Sequence, residues 1–206
     1  MSDPVSVTEF RAEAIALGDD PRVLAAARHA REFLRALGVS TESPSMRRSP
    51  LRMAQAYAEL LMPAEFDATT FPNDEGYSEL VLVRDIPVRS ICEHHLLPFA
   101  GVAHVGYLPT DRLLGLSKFA RVVDALARRP QVQERLTRQV ADWLDRELEP
   151  HGVGVVIEAE HSCMTIRGVR AAGATTRTQA MTGQLGIDAA ARAEFLSAVD
   201  SGRGVR

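Results

Sequence analysis

The spacing of apolar and polar positions changes character at Tyr77. Upstream, Pro21 opens a helix over Arg22 to Leu37, rich in Ala, Leu and Arg and stopped by Gly38. Residues 1–20 are weakly patterned and are expected to form a ragged or helical arm. Ser40 to Pro50 contains two prolines and several serines and reads as a loop. Ser49-Pro50 fits an N-cap followed by a first-turn proline, with a helix from Leu51 to about Leu61 that ends before Pro63. Phe66 to Gly76 reads as another loop. Downstream, Leu80 to Val83 and Ile86 to Val88 carry the β-branched runs of a strand, and Ala100 to Leu108 forms a second, ended by Pro109. Gly115-Leu116-Ser117 leads into a helix over about Lys118 to Ala127. Pro130 is expected to open the next, where Val132, Leu136, Val140, Trp143 and Leu144 recur every three or four residues as one apolar stripe. Gly152 to Glu160 reads as a third strand, the threonine-rich Ile166 to Gln179 as a fourth, and Ala189 to Val199 as a last helix.

Helices first, then strand-strand-helix-helix-strand-strand, then a short helix, indicate an α+β chain with an antiparallel sheet. The expected division is a helical region over 1–75 and a catalytic α+β domain over 76–206. Composition narrows the function classes. Aromatic residues are only 5% of the 206, too few for base-stacking platforms, and the net charge of −3 argues against a nucleic-acid binder. No apolar run approaches the roughly 20 residues that span a bilayer. The polar start, Met1 to Phe10, lacks the apolar run of a signal peptide, so a cytoplasmic location is expected.

The chemistry concentrates in Cys92-Glu93-His94-His95. One other cysteine exists, Cys163, and it lies two residues after His161. A disulfide and two inert buried thiols are the plain alternatives, the first disfavoured in the cytosol. Two thiolates and an imidazole from distant segments also suffice to hold a metal with one position open for water, whereas a structural zinc site closes all four positions with protein ligands. If the His94-His95 pair is extended, its two side chains point to opposite faces, one toward a metal and one toward a substrate.

Ile91-Cys92-Glu93-His94-His95-Leu96-Leu97-Pro98-Phe99 resembles the zinc segment of GTP cyclohydrolase I. So do Gly115-Leu116-Ser117-Lys118-Phe119-Ala120-Arg121, the run from Arg129 to Thr137, and His161-Ser162-Cys163-Met164 with Arg167-Gly168-Val169. The order is the family's, over roughly residues 50 to 200. The resemblance implies the tunnelling fold, in which antiparallel sheets of several subunits close a barrel, with two helices packed on each sheet. It implies a homodecamer with active sites between subunits, Zn2+ as cofactor and GTP as substrate. The implied reaction is zinc-activated water attack at purine C8, ring opening, deformylation, Amadori rearrangement and ring closure to 7,8-dihydroneopterin triphosphate.

By the same resemblance Cys92, His95 and Cys163 hold the zinc; a closed site with His94 or His161 as fourth ligand is the competing arrangement. His161 and His94 serve as general acids and bases, since histidine titrates near ambient pH. Ser117, Lys118, Arg121 and Arg167 bind the triphosphate, and Ser117 also assists at the ribose. Glu134, with Gln133 beside it, reads guanine: a carboxylate accepts from both N1–H and the 2-amino group, which adenine lacks. His104 and His29 lie off the motifs and read as structural or surface. Ser49-Pro50-Leu51-Arg52-Met53-Ala54-Gln55 departs from the family segment by placing Gln55 where it has lysine, a loss of about 1.5–3 kcal/mol of binding if that charge contacts phosphate. Two other functions fit the motifs: a related purine hydrolase that releases the formylated intermediate, and a non-catalytic, zinc-stabilised oligomer that binds guanine nucleotides.

Overall fold

The computed structural model describes residues 19–63 and 66–201. They fall into two compact units, one within residues 1–65 and the other within residues 66–206. In the first, helix α1 (Pro21–Ala36) is capped by Asp20, whose carboxylate accepts from the Arg22 amide. Helix α2 (Ser49–Leu61) carries Pro50 in its first turn. Ser49 is not its cap, as the sequence suggested: Arg48 holds that position and the Ser49 hydroxyl turns back to the Met46 sulfur. Val23 of α1 and Ala54 of α2 are buried. The arm expected over residues 1–20 lies outside the described residues, apart from Asp19 and Asp20.

The second unit is built on strands β1 (Thr70–Pro72), β2 (Val81–Cys92), β3 (Pro98–Leu108), β4 (Arg112–Leu114), β5 (Pro130–Gln131), β6 (Gly152–His161) and β7 (Thr175–Met181). Between and after them run helices α3 (Leu116–Ala127), α4 (Gln133–Leu148), α5 (Ser162–Thr165), α6 (Gly183–Ile187) and α7 (Ala189–Asp200). β1 and β4 pair as a small antiparallel ribbon. The main sheet has the order β5-β2-β3-β6-β7, antiparallel except where β5 joins β2. The unit is thus α+β, with the helices and antiparallel sheet expected of a tunnelling-fold subunit.

Side chains alternate between the two faces of a strand, and β6 is covered on both. Gly154 and Val156 meet α7, where Phe195 lies against Gly106 and Gly154, directly paired across β3 and β6. A Cβ at Gly154 would come within 2.8–2.9 Å of three Phe195 ring atoms, so the floor under that ring must be bare backbone. The opposite parity of β6, which ends in His161, faces the α4 side: the His161 ring bonds the side chain of Gln133 in α4. The apolar stripe read from sequence is buried through Leu136, Val140, Trp143 and Leu144.

Two local expectations change. Pro130 does not open a helix; Pro130-Gln131 pairs in parallel with Ile91-Cys92, and α4 starts at Gln133. The strand expected over Ile166 to Gln179 begins only at Thr175, because Gly168, Arg170 and Gly173 take positive φ and fold residues 166–174 into turns. As expected, the runs 80–83 and 86–88 belong to one strand, with an irregularity where Asp85 takes φ 56° and its amide reaches His104 Nδ1.

Candidate metal centre and nucleotide site

The register brings Cys92, Pro98, Gln131 and His161 to one end of the sheet. Residues 93–95 form a turn, not the extended segment expected: the amides of His95 and Leu96 both return to the Cys92 carbonyl, and Leu96 takes φ 53°. The turn, and not strand alternation, separates the two histidines; their rings lie 6.4 Å apart at 77°. Its base is tied to the start of α4. The Glu93 amide donates to the Gln131 carbonyl, and Arg135 donates to the Glu93 carboxylate, to Gln131 Oε1 and to the Pro130 carbonyl.

Across from this turn, α5 starts immediately after β6 and puts Cys163 in its first turn. The donor atoms of Cys92, His95 and Cys163 all lie within 4.8 Å of one another, with the two sulfurs 4.0 Å apart and both thiols free. That separation is too long for a disulfide. Burial and the adjacent Cys92 thiol push the Cys163 thiol above its ordinary value, opposed by the Arg167 charge. A bound cation reverses that balance and holds both sulfurs as thiolates. Two sulfurs and an imidazole converging from a turn and a helix start fit a metal ion of the soft-to-borderline kind.

His161 ends β6 with its ring stacked on Phe99, centroids 4.5 Å apart and planes 11° from parallel. Burial lowers its affinity for a proton below the usual histidine value, partly offset by the Glu134 carboxylate. Glu134 is exposed in the first turn of α4. Gln133, next to it, is buried and bonds His161 Nε2 at 2.8 Å. His94 is exposed, with Nδ1 3.9 Å from the Cys92 sulfur. Arg167 is exposed and near enough to act on Cys163. The structure thus gathers His94, His95, Glu134, Gln133, His161 and Arg167 around the two cysteines.

Ser117, Lys118 and Arg121 are not gathered there. The Leu114 amide donates to the Tyr107 hydroxyl, so α3 begins near the far end of β3; it ends at Ala127, whose carbonyl accepts from Ser90 near Cys92. At 1.5 Å per residue, Lys118 lies about 14 Å along the axis from Ala127. Among the described residues no side-chain hydrogen bond or ion pair joins these three to the metal end. Gln55 lies half-buried on α2 in the other unit.

Phe99, Gln131 and the Arg135–Glu93 pair went unassigned in the sequence. Each falls inside a motif, but only the pairing of β3 with β6 and of β2 with β5 shows what it touches.

The family profile of GTP cyclohydrolase I matches residues 26–200. The chain belongs to the GTP cyclohydrolase I family. A protein named GTP cyclohydrolase 1 from Mycobacteroides abscessus is 55% identical over 171 residues, 81% of this chain and 84% of its own. One of the same name from Streptomyces griseus is 50% identical over 206 residues, covering 97% and 98%. A third, from Halalkalibacterium halodurans, is 53% identical over 173 residues, covering 81% and 91%. Among solved structures, an archaeosine synthase of QueF-like type in the apo form aligns with 50% of this chain and 93% of its own at 19% identity and a TM-score of 0.43, too distant to add to the assignment. Among the described residues no helix is long and apolar enough to cross a membrane.

Proposed function

We propose that this chain hydrolyses GTP, releasing formate and forming 7,8-dihydroneopterin triphosphate, as a cytoplasmic homo-oligomer. The observation that carries it is the Cys92–His95–Cys163 cluster, with His161 and Glu134 beside it, in a chain of this family. The donor set suits zinc, which when bound acts as a Lewis acid and lowers the pKa of a coordinated water.

The remaining work falls to side chains. Glu134 accepts from guanine N1–H and the 2-amino group, which orients the purine and rejects adenine. His161 exchanges protons at the imidazole part of the purine as the ring opens. Its ring is already fixed by Phe99, so orientation is settled before substrate arrives. His94, exposed in the turn, serves the ribose side, where rearrangement is acid–base chemistry. Arg167 lies close enough to pair with phosphate or to support the thiolates. Ser117 and Lys118 at the N-terminal end of α3, with Arg121 one turn on, offer amides, a hydroxyl and two cations to a triphosphate.

Because these α3 residues lie toward the other end of the sheet, we assign the triphosphate of each site to α3 of a neighbouring copy. β7 is one edge of the main sheet, and among the described residues β2 pairs on its other side only with β5, at Ile91 and Cys92. Pairing of such edges between copies closes a ring, and two stacked rings make the decamer.

Incubation of metal-replete protein with GTP should yield formate and, after oxidation, pterin fluorescence in equal amounts. Consumption of GTP with neither formate nor pterin would place the chain among hydrolases that release the formylated intermediate, and GTP left intact would leave only nucleotide binding. His161→Ala should keep zinc and GTP but lose about 100-fold or more in turnover; unchanged turnover overturns its role.

A further inference from the structure

We propose that Gln133 is a positioning residue that holds His161 as the Nε2–H tautomer, so that Nδ1 is the atom that exchanges the proton with the substrate. This rests on the reading of His161 as a proton-transfer group.

The chemistry of the partners fixes the orientation of the Gln133 amide. Its NH2 group faces the carbonyls of Ile157 and Thr176, at 3.1 and 3.0 Å, and the Thr178 hydroxyl at 3.1 Å. Backbone carbonyls only accept, so the nitrogen must lie on that side. Oε1 therefore faces His161 Nε2 at 2.8 Å, and a carbonyl oxygen can only accept there. In the neutral ring Nε2 carries the hydrogen and Nδ1 the lone pair. Nδ1 has no hydrogen-bond partner among the described residues.

Gln133 is held in place. It is 2% exposed, and its amide partner Thr178 Oγ1 also meets Thr137 Oγ1 at 2.6 Å. The stack on Phe99 fixes the plane of the ring and the amide fixes its rotation within that plane. Both N–H donors of Gln133 are thus spent inside the protein, and Oε1 is engaged by His161. During the reaction the Nδ1 lone pair accepts a proton, the imidazolium Nδ1–H returns it, and the Nε2–H bond stays intact throughout.

Nitrogen-15 NMR of histidine-labelled, reduced, metal-replete protein reads the tautomer directly, with the His161 signals identified by their loss in His161→Ala. A protonated Nε2 and a bare Nδ1 are expected; a protonated Nδ1 in the neutral ring overturns the proposal. This holds whether or not GTP is turned over, so it fails separately from the proposed function. In kinetics, Gln133→Met should lower kcat about 10–100-fold with KM for GTP within about twofold and metal content unchanged. Gln133→Glu, whose protonated carboxyl keeps an acceptor toward Nε2, should recover most of kcat. Thr178→Val disturbs the same buried network without touching that bond and should leave kcat within about twofold. Equal losses in Gln133→Met and Thr178→Val, or no recovery in Gln133→Glu, would reduce Gln133 to a packing role.

Discussion

If Lys118 and His161 act on one GTP from different chains, two inactive variants should restore each other when mixed. Lys118 is 8% exposed, so Lys118→Met is the gentler change: it keeps an apolar stem in the buried space and removes only the charge. Losing one charge-assisted contact to phosphate costs about 1.5–3 kcal/mol, or roughly 10–100-fold in kcat/KM. His161→Ala removes a proton-transfer group, typically worth 10²–10⁴-fold. The α3 geometry decides what mixing does. Lys118 lies about 14 Å along the helix from the end near Cys92. A site that takes its metal end from one copy and its α3 from the next is intact at one junction in four when equal amounts assemble at random. Co-assembled oligomers should therefore reach about 25% of parental formate release, far above either variant. Sites built within single chains would each carry one lesion. If native mass spectrometry shows mixed oligomers whose activity does not exceed the mean of the two variants, the placement of the triphosphate on a neighbouring α3 is wrong.

Other changes test separate parts of the site. Cys163→Ser should strip the metal from purified protein, read as metal per chain by elemental analysis, with the fold retained by circular dichroism. Glu134→Gln should lower kcat/KM for GTP about 10–100-fold and shrink the preference for GTP over inosine triphosphate, which lacks the 2-amino group. Gly154→Ala forces a methyl group against the Phe195 ring on the face away from α4, so it should cost about 1–3 kcal/mol, seen as a lower Tm, with metal content unchanged.

What the sequence made legible follows from how local the signal is. Two cysteines and a His-His pair in 206 residues leave few ways to assemble a soft metal site, and the structure brings Cys92, His95 and Cys163 within 4.8 Å. The strands and the α4 stripe were readable because period-2 and period-3.6 burial is written into consecutive positions. What the sequence could not show was decided by partners far along the chain. Pro130 looks like a helix opener, yet its segment is claimed by the edge of β2. Residues 166–174 look continuous with the threonine strand, but Gly168, Arg170 and Gly173 at positive φ curl them into turns. Gln133 sits beside Glu134 and so read as a second guanine ligand. Only the pairing of β6 with β7 shows three of its partners, the carbonyls of Ile157 and Thr176 and the Thr178 hydroxyl, already waiting for its amide.

The central claim is a metal ion held by two sulfurs and one imidazole with a position open to solvent. X-ray absorption at the zinc edge, on reduced, metal-replete protein without GTP, reads that shell directly. Two sulfur scatterers and two light scatterers, of which a single one shows the outer-shell pattern of an imidazole, are expected. A shell with two imidazoles, closing the site with His94 or His161, or a preparation that takes up no metal, would contradict it.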